Sequence, residues 1–512
     1  MVAHIKTIAF EGVEVTDVDV QVQIGPGLPA FTVVGLPDKA VAESRERVRA
    51  ALNAIGLALP AKKIVVNLAP ADLAKEGSHF DLPIALGVLV AMGVMPADSV
   101  EPYLVLGELS LDASLTPVAG VLPVALKAAA DGLGVICPQA CGVEAAWADE
   151  QLDILAPESL LALINHAKGT QVLSAPELPN SEEMQTASLP FAIPDMREIK
   201  GQETARRALE VAAAGGHNLL MVGPPGAGKS MLASCLPGIL PPMSAKEMLQ
   251  ASIVSSVAGK LNDGTLSAAR PFRDPHHSSS MAAMVGGGRK ALPGEISLAH
   301  HGVLFLDEFP EFPRGVLESL RQPLETGSVS VARAQAHITY PAEFQLVAAM
   351  NPCRCGYLDD AGRACNKAPR CAVDYQAKVS GPLLDRIDIH IDVPAVDTLA
   401  MLADQGGEAS TEVAQRVAAA RKRQQQRFAE HGLQITTNAR LSGDRLHELV
   451  AMEPDAKAFL EGAVRQLDLS MRGYTRVLRV ARTVADLDAR EAVAKSHIAE
   501  AVTYRQLSFG RY

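Results

Sequence analysis

The sequence predicts an α/β protein in three parts: an N-terminal α+β domain, a core built on a parallel sheet, and a C-terminal helical region. Strand-like segments alternate with Ala-rich helical segments up to about residue 167. From residue 195, short apolar runs alternate with helical segments, the pattern of a parallel sheet with crossover helices. Beyond about residue 394, helical periodicity continues to residue 512 with almost no strand signal.

This pattern divides the chain into four segments. Residues 1–168 form the first domain, with strands predicted over 13–24, 63–68 and 103–111 and helices over 39–55, 83–92 and 123–131. Residues 169–194 are polar and Pro-rich, which is typical of a linker. Residues 195–395 form the core and residues 396–512 the helical region, because 512 residues exceed one hydrophobic core.

The composition narrows the class of protein. A net charge of −11 argues against a wholly basic nucleic-acid-coating protein, so any polyanion would be bound by local features. No run of about 18 uncharged apolar residues occurs, and the first residues lack the charged and apolar regions of a signal peptide. We therefore expect a cytoplasmic protein with no membrane partner.

A phosphate-binding loop follows the apolar strand predicted over 219–222 and opens a helix. Its backbone amides wrap around phosphates, the lysine ammonium reaches the β- and γ-phosphates, and the serine hydroxyl is placed for Mg²⁺. The loop consists of Gly223, Pro224, Pro225, Gly226, Ala227, Gly228, Lys229 and Ser230.

Polar residues follow two further apolar strands of the core. Asp307 and Glu308 end the strand over 303–306, where phosphoryl-transfer sites need carboxylates to hold Mg²⁺ and to polarise water. Asn351 ends the strand over 344–350 and is placed to orient the attacking water. Together with the phosphate-binding loop, these residues predict ATP hydrolysis with Mg²⁺ held by Ser230 and Asp307.

Four of the seven cysteines cluster in a Gly/Asp/Arg-rich loop: Cys353, Cys355, Cys365 and Cys371. Their spacing departs from common zinc fingers, yet four thiolates suit tetrahedral Zn²⁺. Because such a loop buries little apolar surface, a metal would supply its ordering energy. We predict structural zinc, with reduced free thiols as the alternative.

The order of these motifs resembles an AAA+ ATPase, and within that superfamily the magnesium-chelatase-like branch. Across its whole length the chain resembles the ComM/YifB family. The match is carried by Pro-Phe-Arg-Asp-Pro-His-His over 271–277, Gly-Gly-Gly over 286–288, Pro-Gly-Glu-Ile-Ser-Leu-Ala-His over 293–300, and the run 303–309.

The resemblance implies roles for further residues. Asn351 becomes sensor 1, Arg386 the arginine finger acting on a neighbouring subunit, and Arg472 sensor 2, with Arg476 as its alternative. A surface ion pair with Asp385 or Asp388 remains the structural alternative for Arg386. An arginine finger in trans implies a homo-hexameric ring as the active form.

The same resemblance implies a function on DNA. The stretch 328–340 is similar to the pre-sensor-1 hairpin of chelatases and minichromosome-maintenance helicases, so Arg333 is expected in a central pore, with Arg289 and Lys290 in support. A hairpin surface charge is the alternative for Arg333. The implied activity is a branch-migration helicase that extends recombination intermediates during natural transformation, with recombination proteins as candidate partners. The rival is a chelatase-like ATPase that remodels proteins.

The N-terminal domain resembles the Lon protease domain over 65–83 and 107–120. Lon chemistry needs a serine and lysine dyad. Aligning the two stretches by their glycines puts His79 at the nucleophile position and Leu122 at the lysine position, while Ser78 is out of register. We therefore predict a Lon-protease-like domain that is not proteolytic.

Overall fold

The computed structural model describes residues 2–178, 193–261, 264–288, 291–332, 337–358, 363, 365–395 and 407–505. It contains a seven-stranded sheet in the N-terminal part of the chain and a five-stranded sheet in the core. Within these ranges, no helix combines the length and the apolar composition needed to cross a membrane.

The N-terminal sheet has strand order β3-β4-β2-β1-β5-β8-β9. The pairs β1–β2 and β2–β4 are antiparallel, and the other neighbours are parallel. A small hairpin, β6–β7, lies outside it. The strands are β1 Val2–Glu11, β2 Glu14–Gly25, β3 Ala30–Val34, β4 Lys63–Ala69, β5 Tyr103–Val105, β6 Glu108–Leu109, β7 Leu115–Thr116, β8 Gly134–Ile136 and β9 Ile154–Leu155.

Five helices accompany this sheet: α1 Lys39–Ala54, α2 Asp81–Ala91, α3 Val121–Asp131, α4 Gly142–Ala146 and α5 Leu160–Ala167. Helix α2 packs against β1, β2 and α1 and is buried along nearly its whole length, so its sequence is apolar on every face. The helix begins at Asp81, two residues before the predicted start. The Asp81 carboxylate is fully buried and accepts two hydrogen bonds from Arg47, at 2.6 and 2.9 Å.

The core sheet is parallel throughout, with order β11-β14-β17-β10-β18. Strands β10, β14 and β17 are buried on both faces, which explains their continuous apolar runs. Two hairpins, β12–β13 and β15–β16, lie beside the sheet. The strands are β10 Leu219–Val222, β11 Phe272–Arg273, β12 Gly286–Gly287, β13 Leu292–Pro293, β14 Val303–Leu306, β15 Ser328–Ala332, β16 His337–Pro341, β17 Gln345–Met350 and β18 Ile389–Asp392.

The helices of the core connect these strands. They are α6 Glu203–Gly215, α7 Lys229–Ile239, α8 Ala245–Val257, α9 Met281–Val285, α10 Glu295–Leu298, α11 Arg314–Ser319, α12 Arg321–Thr326, α13 Arg370–Gln376 and α14 Gly381–Leu384. Helix α8 begins with a capping box, in which Ser244 and Glu247 satisfy each other's backbone amides. It belongs to the insertion between β10 and β14 and makes contact with the N-terminal domain.

The C-terminal region is helical, as predicted. Its helices are α15 Ser410–Glu430, α16 Asp444–Leu449, α17 Pro454–Leu467, α18 Met471–Leu487 and α19 Lys495–Thr503. Helices α15 and α18 pack on α6, and the region shares one hydrophobic core with the sheet. Buried Asp486 anchors it by accepting hydrogen bonds from Arg427, Arg482 and Asn438.

The N-terminal domain docks on the core through α3 and α8. The buried Glu144 carboxylate accepts hydrogen bonds from the Ser256 hydroxyl, at 2.5 Å, and from the Leu122 amide, at 2.9 Å. Burial raises the pKa of Glu144, while these donors oppose the shift. Trp147 donates from its indole to the Gly264 carbonyl, at 3.0 Å. The two domains are therefore joined by buried polar contacts.

Replacing Ser256 by Ala should loosen this docking, because it removes one donor from a buried carboxylate. We expect a loss of about 1–3 kcal/mol in the free energy of unfolding. The measurement is urea denaturation followed by the fluorescence of Trp147, the one tryptophan of the chain. Ser255→Ala on the same helix is the control and should shift stability by less than about 0.5 kcal/mol. Equal urea midpoints for Ser256→Ala and Ser255→Ala would show that the hydrogen bond between Ser256 and Glu144 does not stabilise the docking.

Candidate functional site

The phosphate-binding loop lies where β10 ends, at the carboxyl edge of the parallel sheet. Gly226 and Gly228 have φ of 78° and 87°, in the left-handed region that favours glycine. Gly223 needs to be small for a second reason: a Cβ there would lie 2.0 Å from the carbonyl oxygen of Val393, which follows β18. The loop is thereby pressed against the neighbouring strand, and its shape is set by backbone rather than by flexible side chains.

Lys229 begins helix α7 and folds back over the loop. Its ammonium donates to the carbonyls of Gly223, at 2.7 Å, and Pro224, at 2.9 Å, and to Asn351 Oδ1, at 3.1 Å. Burial lowers the pKa of Lys229, and the charge of Asp307 opposes the shift. The structure thus brings Lys229 and Asn351 together at the ends of the adjacent strands β10 and β17.

The Ser230 hydroxyl donates to Asp307 Oδ2 at 2.6 Å. A hydroxyl and a carboxylate at hydrogen-bond distance are hard oxygen ligands, so these two residues fit the magnesium ion that accompanies a nucleotide. Asp274 was not predicted from the sequence and lies nearby. Burial, together with the charge of Asp307, raises the pKa of Asp274.

Glu308 is paired with a histidine. Its carboxylate lies 3.0 Å from His277 Nδ1, and its backbone adopts a left-handed φ of 51°. His277 follows β11, the strand next to β14. His277 ends the motif over 271–277, from which no role for this histidine could be predicted. The contact becomes apparent only in the structure, because it depends on the pairing of the two-residue strand β11 with β14.

Gln202, which lies just before helix α6, closes the same edge of the sheet. Its amide donates to the carbonyls of Ala227, at 3.3 Å, and Pro394, at 2.6 Å. It therefore ties the phosphate-binding loop to the segment after β18. The ends of β10, β14, β17 and β18 together form the crevice in which parallel α/β sheets bind ligands.

Arg386 lies at the other edge of the sheet. Its carbonyl accepts from the side chain of Asn218, the residue before β10, at 3.2 Å. Its guanidinium is bonded to Glu325 and, at 2.6 Å, to the Pro382 carbonyl. The four residues of β10 span roughly 13 Å, so Arg386 cannot reach its own Lys229.

Arg472 lies on the same side as Arg386. Its guanidinium is 4.0 Å from Glu325, and its side chain is 58% exposed, so it is available to a neighbouring molecule. Arg476, the alternative, is largely buried and lies 3.1 Å from Asp388. Arg386, Arg440, Arg472, Arg476 and Arg479 line a cleft of about 290 Å³ together with Glu325 and Asp388. This cleft is suited to an anion.

The four clustered thiols come together. Cys353 Sγ lies 3.1 Å from Cys355 Sγ, and Cys365 Sγ lies 3.4 Å from Cys371 Sγ. The sulfur atoms of Cys353, Cys355 and Cys371 are all within 4.8 Å of one another. Tetrahedral zinc with thiolates at about 2.3 Å separates its sulfur atoms by about 3.8 Å. The donor set therefore fits Zn²⁺.

The predicted DNA-contacting residues Arg289, Lys290 and Arg333 lie outside the described residues. The paired strands of the two hairpins, β12–β13 and β15–β16, are described. The Tyr340 hydroxyl of β16 donates to the Ala291 carbonyl, at 2.8 Å. A Cβ on Gly286 of β12 would lie 3.3 Å from Val331 of β15, so the two hairpins are in contact.

The N-terminal domain does not join Ser78 and Lys75 into a dyad. The Ser78 hydroxyl donates to Glu108, while Lys75 is fully buried and donates to the Pro70 carbonyl. Leu122 is buried, and His79 Nε2 lies 3.1 Å from the Ile8 carbonyl. Ser78 and Lys75 therefore have separate hydrogen-bond partners.

Comparisons with known proteins agree along the whole chain. Residues 195–401 match the family described as magnesium chelatase, subunit ChlI, residues 20–141 match subunit ChlI of Mg-chelatase, and residues 407–505 match the ChlI C-terminal family. The uncharacterized protein YifB of Salmonella typhimurium is 42% identical over 507 residues, which cover 99% of this chain and 97% of that protein. The competence protein ComM of Haemophilus influenzae is 42% identical over 512 residues, with coverages of 99% and 97%. YifB of Escherichia coli is 41% identical over 504 residues, with coverages of 98% and 97%.

Proposed function

Because the chain belongs to the ComM/YifB family of magnesium-chelatase-like AAA+ ATPases, we propose that it is an ATP-driven DNA translocase. The specific activity is branch migration of recombination intermediates during natural transformation. The name of the Haemophilus influenzae relative, a competence protein, supports this context. The active form is a homo-hexameric ring.

The separation of the two arginines from the phosphate-binding loop supports the ring. Lys229, Asp307 and Glu308 sit at the carboxyl edge of the sheet, whereas Arg386 and Arg472 sit at the amino edge. Both edges contribute to one site only if neighbouring subunits pack head to tail, an arrangement that forms a ring when the rotation between subunits closes. Mg²⁺ held by Ser230 and Asp307 would neutralise charge on the β- and γ-phosphates.

Within that site, each side chain has its own role. Lys229 binds the phosphates in place of its present backbone acceptors, and Glu308 accepts a proton from the attacking water once it leaves His277. Asn351 orients that water. Arg386 and Arg472 stabilise transition-state charge on the neighbour's nucleotide, for which they must leave Glu325.

The observation that carries the DNA function is the contact between the two hairpins. Arg289 and Lys290 lie on the connection between β12 and β13, and Arg333 lies on that between β15 and β16. The bond between Tyr340 and Ala291 fixes the bases of these connections to each other. A ring repeats the three basic side chains in every subunit, so an acidic protein gains a local site for a phosphate backbone.

Strand displacement on a four-way DNA junction tests the function. Arg333→Ala should weaken DNA binding about tenfold or more and flatten its salt dependence, because one phosphate contact per subunit is lost. Its ATPase without DNA should stay at the wild-type rate. Arg45→Ala, which removes an exposed charge from the N-terminal domain, is the control and should behave as wild type.

Two outcomes would contradict the DNA function. Unchanged DNA binding by Arg333→Ala would remove this residue from the pore. ATPase stimulated by a protein and not by any forked, three-way or four-way DNA would favour the rival, a chelatase-like protein-remodelling ATPase. The matches to chelatase subunit families make that rival the appropriate comparison.

We further propose that Cys353, Cys355, Cys365 and Cys371 bind one structural Zn²⁺. The sulfur atoms of Cys353, Cys355 and Cys371 lie within 4.8 Å of one another, Cys365 Sγ lies 3.4 Å from Cys371 Sγ, and the loop buries little apolar surface over residues 365–371. When bound, the ion would link the two ends of this loop.

A further inference from the structure

The cysteine loop begins inside the nucleotide site. Asn351, which accepts a hydrogen bond from Lys229, is followed by Pro352 and then by Cys353. The loop therefore leaves the sheet from the end of β17, beside the end of β10 where the phosphate-binding loop begins. A metal bound by these thiols would therefore lie next to the proposed nucleotide site.

One turn of the cysteine loop touches the phosphate-binding loop directly. Gly356 ends the turn and donates from its amide to the Cys353 carbonyl, at 3.0 Å. A Cβ on Gly356 would lie 2.6 and 2.7 Å from Cδ and Cγ of Pro225. Such distances leave room for no side chain, so the glycine backbone lies against the proline ring.

The far end of the loop is anchored to helix α13. This helix carries Cys371 in its first turn and Gln376 at its end, and the Gln376 amide donates to the Pro352 carbonyl at 2.9 Å. Cys353 and Cys355 belong to the turn that contacts Pro225, whereas Cys365 and Cys371 belong to the helix side. A metal that binds all four would fasten the turn to the helix.

We propose that this zinc site is a clamp on the phosphate-binding loop, so that metal occupancy sets the affinity for ATP. With the ion bound, the turn is held against Pro225 and the loop stays in its phosphate-binding shape. Without it, the Gln376 bond and the backbone hold the turn less firmly, and nucleotide binding must order the loop at a cost in affinity. The inference rests on the proposed ATP and zinc sites and adds a dependence of one on the other.

Two variants of the full-length chain separate the metal from the contact. Cys371→Ser removes a ligand and should reduce zinc, measured by elemental analysis, to well below one ion per chain. Gly356→Ala keeps all four thiols and should keep the zinc, but its methyl group forces the turn away from Pro225. Both should weaken the binding of a fluorescent ATP analogue, measured by anisotropy with Mg²⁺ present, by about tenfold or more.

Gly93→Ala is the matched control. Gly93 has a φ of 74°, near the 85° of Gly356, but a Cβ there meets nothing within 4 Å. It carries the same kind of backbone strain without the contact and should leave both zinc content and affinity unchanged. Circular dichroism melting of each variant checks its folding, and if Cys371→Ser does not fold, Gly356→Ala carries the test. In the wild type, a zinc-selective chelator should weaken the analogue's binding, and added Zn²⁺ should restore it.

The outcomes distinguish the clamp from the sites on which it rests. A wild-type chain that binds the analogue but contains no zinc overturns the metal site. The clamp alone is overturned if zinc-free Cys371→Ser and zinc-bound Gly356→Ala both bind the analogue with wild-type affinity. A wild-type chain that contains zinc but does not bind the analogue overturns the proposed ATP site and the clamp with it.

Discussion

Subunits carrying Arg386→Ala and subunits carrying Lys229→Ala should each hydrolyse ATP at about a thousandth of the wild-type rate or less, yet recover activity when mixed. Each variant lacks one half of a site that two subunits share. In a mixed ring, the intact phosphate-binding loop of one subunit faces the intact arginine of the other. Assembly of the two variants into mixed rings is therefore sufficient for recovery of ATPase activity.

The geometry makes this expectation specific to Arg386. Its backbone is bonded to Asn218 before β10, and Lys229 follows the other end of that strand. Within one chain, the Arg386 guanidinium is paired with Glu325. A change of side-chain rotamer could not carry it across the sheet to the phosphate-binding loop of the same chain. An arginine that acted within its own subunit would give variants that cannot complement.

Phosphate release at constant total subunit concentration measures the recovery. Random mixing at equal amounts leaves about a quarter of the head-to-tail interfaces with both intact groups, which sets the expected activity. Mixing Lys229→Ala with the double variant Lys229→Ala/Arg386→Ala is the control and should recover nothing, because no subunit then has an intact lysine. Mixed rings without recovered ATPase would rule out the composite site, as would full turnover by a solitary Arg386→Ala chain.

The nucleotide crevice could be predicted from the sequence because its signals are local. Each of β10, β14 and β17 is buried on both faces, so its residues form an apolar run. The runs of β14 and β17 end at Asp307 and Asn351, and the run of β10 leads into the phosphate-binding loop. The phosphate-binding loop adds glycines at positions with positive φ. Both signals are complete within about ten residues and need no knowledge of distant packing.

Contacts between distant segments could not be predicted in the same way. Arg386, Arg472 and Glu325 meet only because the helical region packs on the sheet. The pairing of His277 with Glu308 depends on β11, a strand of two residues that is too short for a periodic signal. Strand β1 was also missed: its buried positions alternate at first and then run together from Thr7 to Ala9.

Glu308→Gln should stop turnover while leaving ATP binding intact. The substitution removes a proton acceptor and keeps the size of the side chain, so the rate should fall by about 10²–10⁴. The affinity for ATP should change by less than about threefold, because the contact between Ser230 and Asp307 does not involve Glu308. Single-turnover hydrolysis and retention of labelled nucleotide measure the two quantities on one sample.

Glu311→Gln is the control for Glu308→Gln, because it makes the same chemical change in the next turn of the chain. Glu311 pairs with Lys378 at 3.0 Å on the protein surface. The Glu311→Gln variant should therefore hydrolyse ATP at the wild-type rate. Wild-type turnover by Glu308→Gln would transfer the role of base to another group, and Asp274, whose pKa is raised in part by the charge of Asp307, would be the first candidate. Loss of nucleotide binding along with turnover would instead assign Glu308 to holding Mg²⁺, a role that the bond between Ser230 and Asp307 gives to Asp307.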